Sequence, residues 1–358
     1  MRTVHFLVPD NIHNPHRPSG GNVYNRRIIA GLRASGWSVF EYAIPGSWPR
    51  PDSSASAALI NVLAGLPDDA LVLLDGLIAS TVPDVLAPQA SRLRLVILLH
   101  MPLGNGLATD ELYAVRTRER TALSVASAII ATSTWTKRWL CEQYALQPRQ
   151  IHVAIPGTDA ASPATGTAAG SELLCIAAVT PLKGHDVLLA ALETISDLPW
   201  HCSCVGSLQQ DLRFVDHLQR QAIAAGIDDR VHYTGTLQGA DLAGAYARAD
   251  VLVLASRRES FGMVTTEALA RGLPVIATAV GGIAEALGHD ADDSLPGLLV
   301  PPDAPGALGA SLRAWLTDPG LRTRLRHAAG QRRTTLSGWS VTVEQVSQVL
   351  METAARSR

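Results

Sequence analysis

Lysine is almost absent from this chain: of 30 basic residues only Lys137 and Lys183 are lysines, so a lysine inside a motif stands out against a background of arginine. Cysteine is scarce too. Cys141, Cys175, Cys202 and Cys204 include no two pairs at zinc-ligand spacing, and 358 residues supply enough core to need no disulfide staples. That excludes a small disulfide scaffold and suits a reducing, cytoplasmic setting. Cys202 and Cys204, one residue apart in an apolar run, fall on one face of an expected strand as small hydrophobic fillers. No uninterrupted apolar stretch is long enough to span a bilayer, and the run ending at Pro9 is too short for a signal peptide, so a soluble, unprocessed protein is expected. Charge of one sign is also lacking. A formal net charge of -2 and a pI near 6.6 exclude the basic field that nucleic acid or a strongly anionic membrane would call for, and favour small polar ligands.

What the chain has instead is apolar content, 47% of residues, arranged as short β-type runs each followed by a helical pattern. The runs at 4–8, 38–43, 71–74, 95–99 and 128–131 are nearly continuous in hydrophobicity, as parallel strands covered on both faces are. They define a first doubly wound domain, placed at 1–158, which a C-terminal helix at 339–358 is expected to complete, although its docking site is not readable from periodicity. Ala160 to Gly170 contains only Ala, Ser, Thr, Pro and Gly, and reads as an interdomain linker. The pattern restarts at 173–177 and continues through 231–234, 251–254 and 275–278, giving a second Rossmann-like domain at 171–338. In such sheets ligands bind beyond the carboxyl ends of the strands, so functional residues are expected on strand-end loops facing a central cleft. Arg116, Arg118 and Arg120, alternating with Glu119, read as a solvated helix face.

The most informative segment runs from Ala255 to Pro274. It holds Glu259 and Glu267 with seven residues between them. A strand ending near Ser256 puts Glu259 in a loop, and a helix is expected from Gly262 or Met263 to a stop at Gly272. Unpaired first-turn amides and the positive end of the helix dipole can receive a phosphate, and Gly262 permits close backbone approach. Glu267, one turn further in, can accept hydrogen bonds from paired sugar hydroxyls, and Glu259 can do the same for a second sugar. Taken alone, the two glutamates are better read as surface carboxylates stabilised by the dipole by ~0.3-1 kcal/mol each. With Phe261-Gly262 after the first Glu and the run Glu267-Ala268-Leu269-Ala270-Arg271-Gly272-Leu273-Pro274-Val275, however, the stretch resembles the E-x7-E signature of retaining glycosyltransferase family 4.

The resemblance implies a GT-B fold, two Rossmann-like domains with parallel sheets facing a central cleft, and roles for particular residues. It assigns Glu259 to the transferred sugar, Glu267 to the nucleotide ribose, and Phe261, Gly262, Met263 and Val264 to the donor site. Lys183, before Gly184 at the end of a strand, resembles the lysine of the family's pyrophosphate loop; a solvated helix-start lysine is the alternative. Here the chain departs from the pattern. Ala178 stands where the family has a second cation, and Arg257 or Arg258 is the conjectural replacement. Gly20-Gly21, opening a helix after the first strand, resembles the family's Gly-Gly loop facing donor phosphate and acceptor. His100, closing the run at 95–99 before Met101-Pro102, resembles its histidine near the sugar's outer hydroxyls; a structural hydrogen-bonding role is the alternative. No Gly-x-Gly-x-x-Gly follows either first strand, which argues against a nicotinamide enzyme.

The reaction that the resemblance implies moves a hexosyl group from a UDP- or GDP-linked sugar to an acceptor hydroxyl, with retention, and with His100, Lys183 and Glu259 as the catalytic set. A small-molecule acceptor is favoured over a lipid. The resemblance implies no bound cofactor and no metal, and no Asp-x-Asp or His cluster stands at a strand end. An epimerase of the same architecture would need carboxylate acid/base residues that cannot be placed here. A non-catalytic nucleotide-sugar binder is the other alternative, with Ala178 as its support.

Overall fold

Apolar runs of four to eight residues, too short for buried helices and followed by amphipathic segments, become parallel strands covered on both faces. In the computed structural model, residues 2–14, 19–106, 110–289 and 294–355 are described. Pro18 of the Gly-Gly segment and residues 356–358 of the last helical stretch lie outside them. The chain folds into two compact units, Met1–Gly157 with Trp339–Arg358, and Thr158–Gly338.

The first unit holds β1 (Arg2–Pro9), β2 (Trp37–Ile44), β3 (Leu71–Asp75), β4 (Arg94–Leu99), β5 (Ala128–Ala131) and β6 (Ile151–Val153), parallel in the order β2-β1-β3-β4-β5-β6. Side chains alternate between two cores. Val72, Leu74, Leu95 and Ile97 enter one, and Leu71, Leu73, Val96 and Leu98 enter the other. The helix Trp339–Ala355 adds Val343, Val346, Val349 and Leu350 to the second core, and Trp37 Nε1 donates to Ser347 Oγ at 2.9 Å. Periodicity alone could not say where this helix docks.

The second unit holds β7 (Glu172–Ile176), β8 (His201–Val205), β9 (Val231–Gly235), β10 (Val251–Leu254), β11 (Val275–Thr278) and β12 (Gly297–Val300), in the order β12-β11-β10-β7-β8-β9. All its strand pairs are parallel. Cys175, Cys202 and Cys204 are buried in its core beside Val253 and Trp200. Two six-stranded parallel sheets flanked by helices make this a GT-B architecture of two Rossmann-like units. Among the described residues no helix is long and apolar enough to cross a membrane.

Two sequence expectations are corrected here. The segment from Ala160 to Gly170 is not a free linker: it is strapped to the second unit. Buried Asp250 accepts from the Thr167 amide and hydroxyl, both at 2.6 Å, from the Glu172 amide at 3.0 Å and from Arg326 at 2.8 Å, while Ala164 and Thr165 donate to the carbonyls of Arg271 and Ala247. A buried carboxylate orders this segment, in place of the apolar core that its composition cannot supply. Likewise Glu119 does not belong to a solvated face. It is fully buried and accepts from the amides of Leu103 and Gly104 and from the Tyr144 hydroxyl, so it pins the loop that leaves β4.

Candidate active site

In the second unit β7 and β10 are neighbours, yet the chain leaves them in opposite directions, toward β8 and β9 on one side and β11 and β12 on the other. Ligands of open α/β sheets commonly bind at such a switch point, and here the two loops at the carboxyl ends meet. Lys183 follows β7 and Glu259 follows β10. Lys183 ends the short 3-10 turn Pro181–Lys183, and Gly184 then starts the helix His185–Glu193 with φ +67. Lys183 Nζ lies 2.5 Å from Glu259 Oε1, the oxygen that also accepts from Ser256 Oγ at 3.0 Å. Fold topology thus joins the two residues that sequence reading took from separate motifs.

Arg257 fixes this arrangement. Its guanidinium takes both oxygens of Asp186, at 2.9 and 2.7 Å, reaches Asp303 at 2.6 Å and donates to the Pro181 carbonyl, while its amide donates to the Leu182 carbonyl. Burial raises the Asp186 carboxyl, but the bonds to Arg257 outweigh it and hold the group below its usual range. Arg257 is raised in turn, chiefly by Asp186. Its charge is therefore committed to the loop that carries Lys183, which speaks against Arg257, though not Arg258, as the replacement for the cation missing at Ala178.

Gly262 caps the helix Met263–Leu269 at φ +85, a left-handed conformation that disfavours a side chain. The Thr265 amide donates to the Gly262 carbonyl at 2.9 Å, whereas the amides of Met263 and Val264 precede the first intrahelical acceptor. The helix is shorter than the sequence suggested, because a turn over 270–272 finishes it. Phe261, just before Gly262, is buried. Gly281 and Gly282, at the start of the next helix, press on the same loop: a Cβ at Gly281 would come within 1.5 Å of the Glu259 carbonyl oxygen. Glu267 is half-buried and accepts from Tyr246 Oη at 2.8 Å, and Arg271 stacks on the Tyr246 ring. Burial holds the Glu267 carboxyl above its usual value against the opposing pull of Tyr246 and Arg271.

In the first unit Ser19 caps the helix Gly20–Ala34 by accepting from the Asn22 amide, so Gly20 and Gly21 form its first turn. His100 stands just beyond β4 and packs against that turn, where a Cβ on Gly21 would meet the imidazole Cδ2 at 3.1 Å. Two residues that sequence reading missed lie behind it. Asn25 is fully buried and Asp75 is 3% exposed. His100 Nε2 lies 2.8 Å from Asn25 Oδ1 and 3.4 Å from Asp75 Oδ2, Asn25 Nδ2 donates to Asp75 Oδ2 at 2.5 Å, and the Leu77 amide donates to Asp75 Oδ1 at 2.7 Å. Burial pushes the Asp75 carboxyl up, but His100, Asn25 and the Leu77 amide more than compensate and leave it below its usual value, ionised at neutral pH. The available signals were a polar residue ending an apolar strand and an asparagine five residues into a helix. Neither indicates a partner. His100, Gly20 and Gly21 lie in one unit, and Lys183, Glu259, Glu267 and the turn from Phe261 to Val264 in the other.

Comparison with known proteins bears on both units. Residues 168–332 match the family model described as glycosyl transferases group 1. A D-inositol 3-phosphate glycosyltransferase of Kineococcus radiotolerans is 32% identical over 254 residues, covering 64% of this chain and 58% of the relative. One of Salinispora tropica is 31% identical over 67% of this chain and 54% of its own length. The chain thus spans little more than half the length of these curated relatives. Among solved structures, sucrose-phosphate synthase from Thermosynechococcus elongatus superposes with a TM-score of 0.81 at 20% identity, over 98% of this chain and 99% of that one. Anabaena HepE, solved in complex with UDP and glucose, superposes with a TM-score of 0.76 at 20% identity, over 98% and 100%. Residues 168–332 are thus similar to a glycosyl transferases group 1 domain, and the chain, with its additional doubly wound unit, has the GT-B fold.

Proposed function

We propose that the protein is a retaining glycosyltransferase that moves a hexosyl group from a nucleoside-diphosphate sugar to the hydroxyl of a small polar acceptor. The single observation that carries this reading is the Lys183–Glu259 pair beside the start of the helix Met263–Leu269, at the switch point of the second sheet. There a cation and free amides can take a diphosphate, and a carboxylate can take sugar hydroxyls. Lys183 and the amides from Gly262 to Val264 stabilise the departing diphosphate, Glu259 orients the transferred sugar, Glu267 receives the ribose, and Gly20, Gly21 and His100 serve donor and acceptor from the first unit. Catalysis rests on positioning and charge stabilisation and needs no metal or resident cofactor. The HepE complex with UDP and glucose favours a UDP-linked donor, with GDP as the alternative, and the relatives' name favours a phosphorylated polyol as acceptor. Four free cysteines suit a cytoplasmic site of action.

Thermal-shift screening against UDP- and GDP-sugars tests the reading, because a ligand that binds only the folded state raises the melting temperature. A positive donor is then incubated with polyol phosphates and the anomer formed is read by NMR. A nucleotide that binds away from the Lys183 loop overturns the assignment. The commitment of Arg257 to Asp186 and Asp303 favours a second reading, nucleotide-sugar binding without turnover, because Arg257 is then not offered to the diphosphate beside Lys183. Transfer by wild type and its loss in Lys183→Ala decides between them.

A further inference from the structure

We propose that Asp75 and Asn25 form a hydrogen-bond relay that dictates which nitrogen of His100 carries the hydrogen, and so makes Nδ1 an obligate acceptor for a substrate hydroxyl. The inference rests on the transferase reading for the identity of that hydroxyl, and on geometry for everything else. The relay starts at the Leu77 amide, a donor that cannot reverse, which holds Asp75 Oδ1 at 2.7 Å. The ionised Asp75 only accepts, so the group 2.5 Å from its Oδ2 is the NH2 of Asn25. With its NH2 so placed, Asn25 turns its carbonyl oxygen toward His100 Nε2 at 2.8 Å. That oxygen also only accepts, so Nε2 carries the hydrogen. Nδ1 makes no hydrogen bond to any described residue and is left with its lone pair. Asp75 and Asn25 are positioning residues, since they act only through His100.

This directionality sets up an inversion. In Asp75→Asn the Leu77 amide still needs an oxygen, so the new amide keeps its oxygen there and turns its NH2 toward Asn25. Asn25 must then flip to offer its oxygen, its NH2 faces His100 Nε2, and the hydrogen moves to Nδ1. The swapped double variant Asn25→Asp/Asp75→Asn restores the original direction. A carboxylate at position 25 accepts from both sides, and the hydrogen returns to Nε2 with the number of buried charges unchanged.

The experiment reads the His100 tautomer by 15N NMR of the unliganded full-length protein and, separately, turnover of UDP-glucose. The expected result is hydrogen on Nε2 in wild type, on Nδ1 in Asp75→Asn, and on Nε2 again in the double variant. Turnover should fall roughly 10- to 100-fold in Asp75→Asn and recover in the double variant, because an unmatched polar pair at a substrate hydroxyl is costly. A purely structural role for Asp75 predicts no inversion and no rescue. Hydrogen on Nδ1 in wild type, or the same tautomer in wild type and Asp75→Asn, overturns the relay. If Asp75→Asn does not fold, wild type and the double variant still decide: loss of the Nε2 hydrogen in the double variant overturns it. The tautomers are read without substrate. Tautomers that invert and recover in a protein that turns over no nucleotide sugar support the relay and overturn the transferase reading. Variants that turn over donor like wild type, with unchanged tautomers, overturn the relay alone.

Discussion

The residues behind His100 in the first unit are buried, 0% exposed at Asn25 and 3% at Asp75, whereas in the second unit the side chains around Glu259 lie at the rim, Lys183 at 26% and Arg257 at 29%. In the first cluster every bond has a fixed donor and acceptor, and an isosteric exchange of oxygen for nitrogen is felt because water cannot repair a mismatch. In the second, charge matters more than the direction of any one hydrogen. In the proposed reaction Lys183 would exchange the Glu259 carboxylate for a phosphate at modest cost, since water screens a rim pair. One site is therefore built to hold an imidazole still, the other to let a cation change partners.

Removing charge at the rim should give the largest effect. Lys183→Ala is expected to lower kcat by about 100- to 1000-fold, as loss of a group that stabilises developing negative charge does, with the fold intact by circular dichroism. A variant with undiminished kcat would break the contrast between the two sites.

Next comes the strap behind the second site. Asp250→Ala leaves the Thr167 amide and hydroxyl and the Glu172 amide without their acceptor and should cost about 3 kcal/mol in urea unfolding, releasing residues 160–170 to proteolysis. An unchanged midpoint would mean that the segment is held by its backbone bonds alone.

Arg257→Lys sharpens the comparison within the rim. A lysine keeps the charge but cannot span Asp186, Asp303 and the Pro181 carbonyl together, so the KM for donor should rise about tenfold while kcat changes less. Equal losses in both would make Arg257 a direct partner of the transition state.

Asp75→Asn should have a smaller effect on stability than on chemistry, about 1 kcal/mol at neutral pH. The folded-state value of Asp75 lies below its ordinary 3.8, so its stabilisation is present above that pH and is lost as pH falls through the lower, folded value. The gap between wild type and variant should close on acidification below 3.8 and stay constant above it. Chelator should have no effect on transfer, as a mechanism that rests on Lys183 and helix amides requires.

Much of this was legible in the chain. The spacing of Glu259 and Glu267, the glycine that starts their helix, and the isolated Lys183 are local patterns, and β strands and helices declare themselves through periods that a few residues suffice to establish. Asp75 and Asn25 were not legible, because 50 residues separate them and nothing in either neighbourhood specifies a partner. Nor was the strap over 160–170, since its order depends on one acceptor, Asp250, about 80 residues away.

By itself the sequence determined two doubly wound units, their strands and the motif loops, because hydrophobic period and turn chemistry act over short stretches. Tertiary structure alone decided that Lys183 meets Glu259 at the switch point, that Arg257 is committed to Asp186, and that His100 is oriented from within. These depend on which strand lies beside which, and burial then turns each such neighbour into an obligatory hydrogen-bond partner.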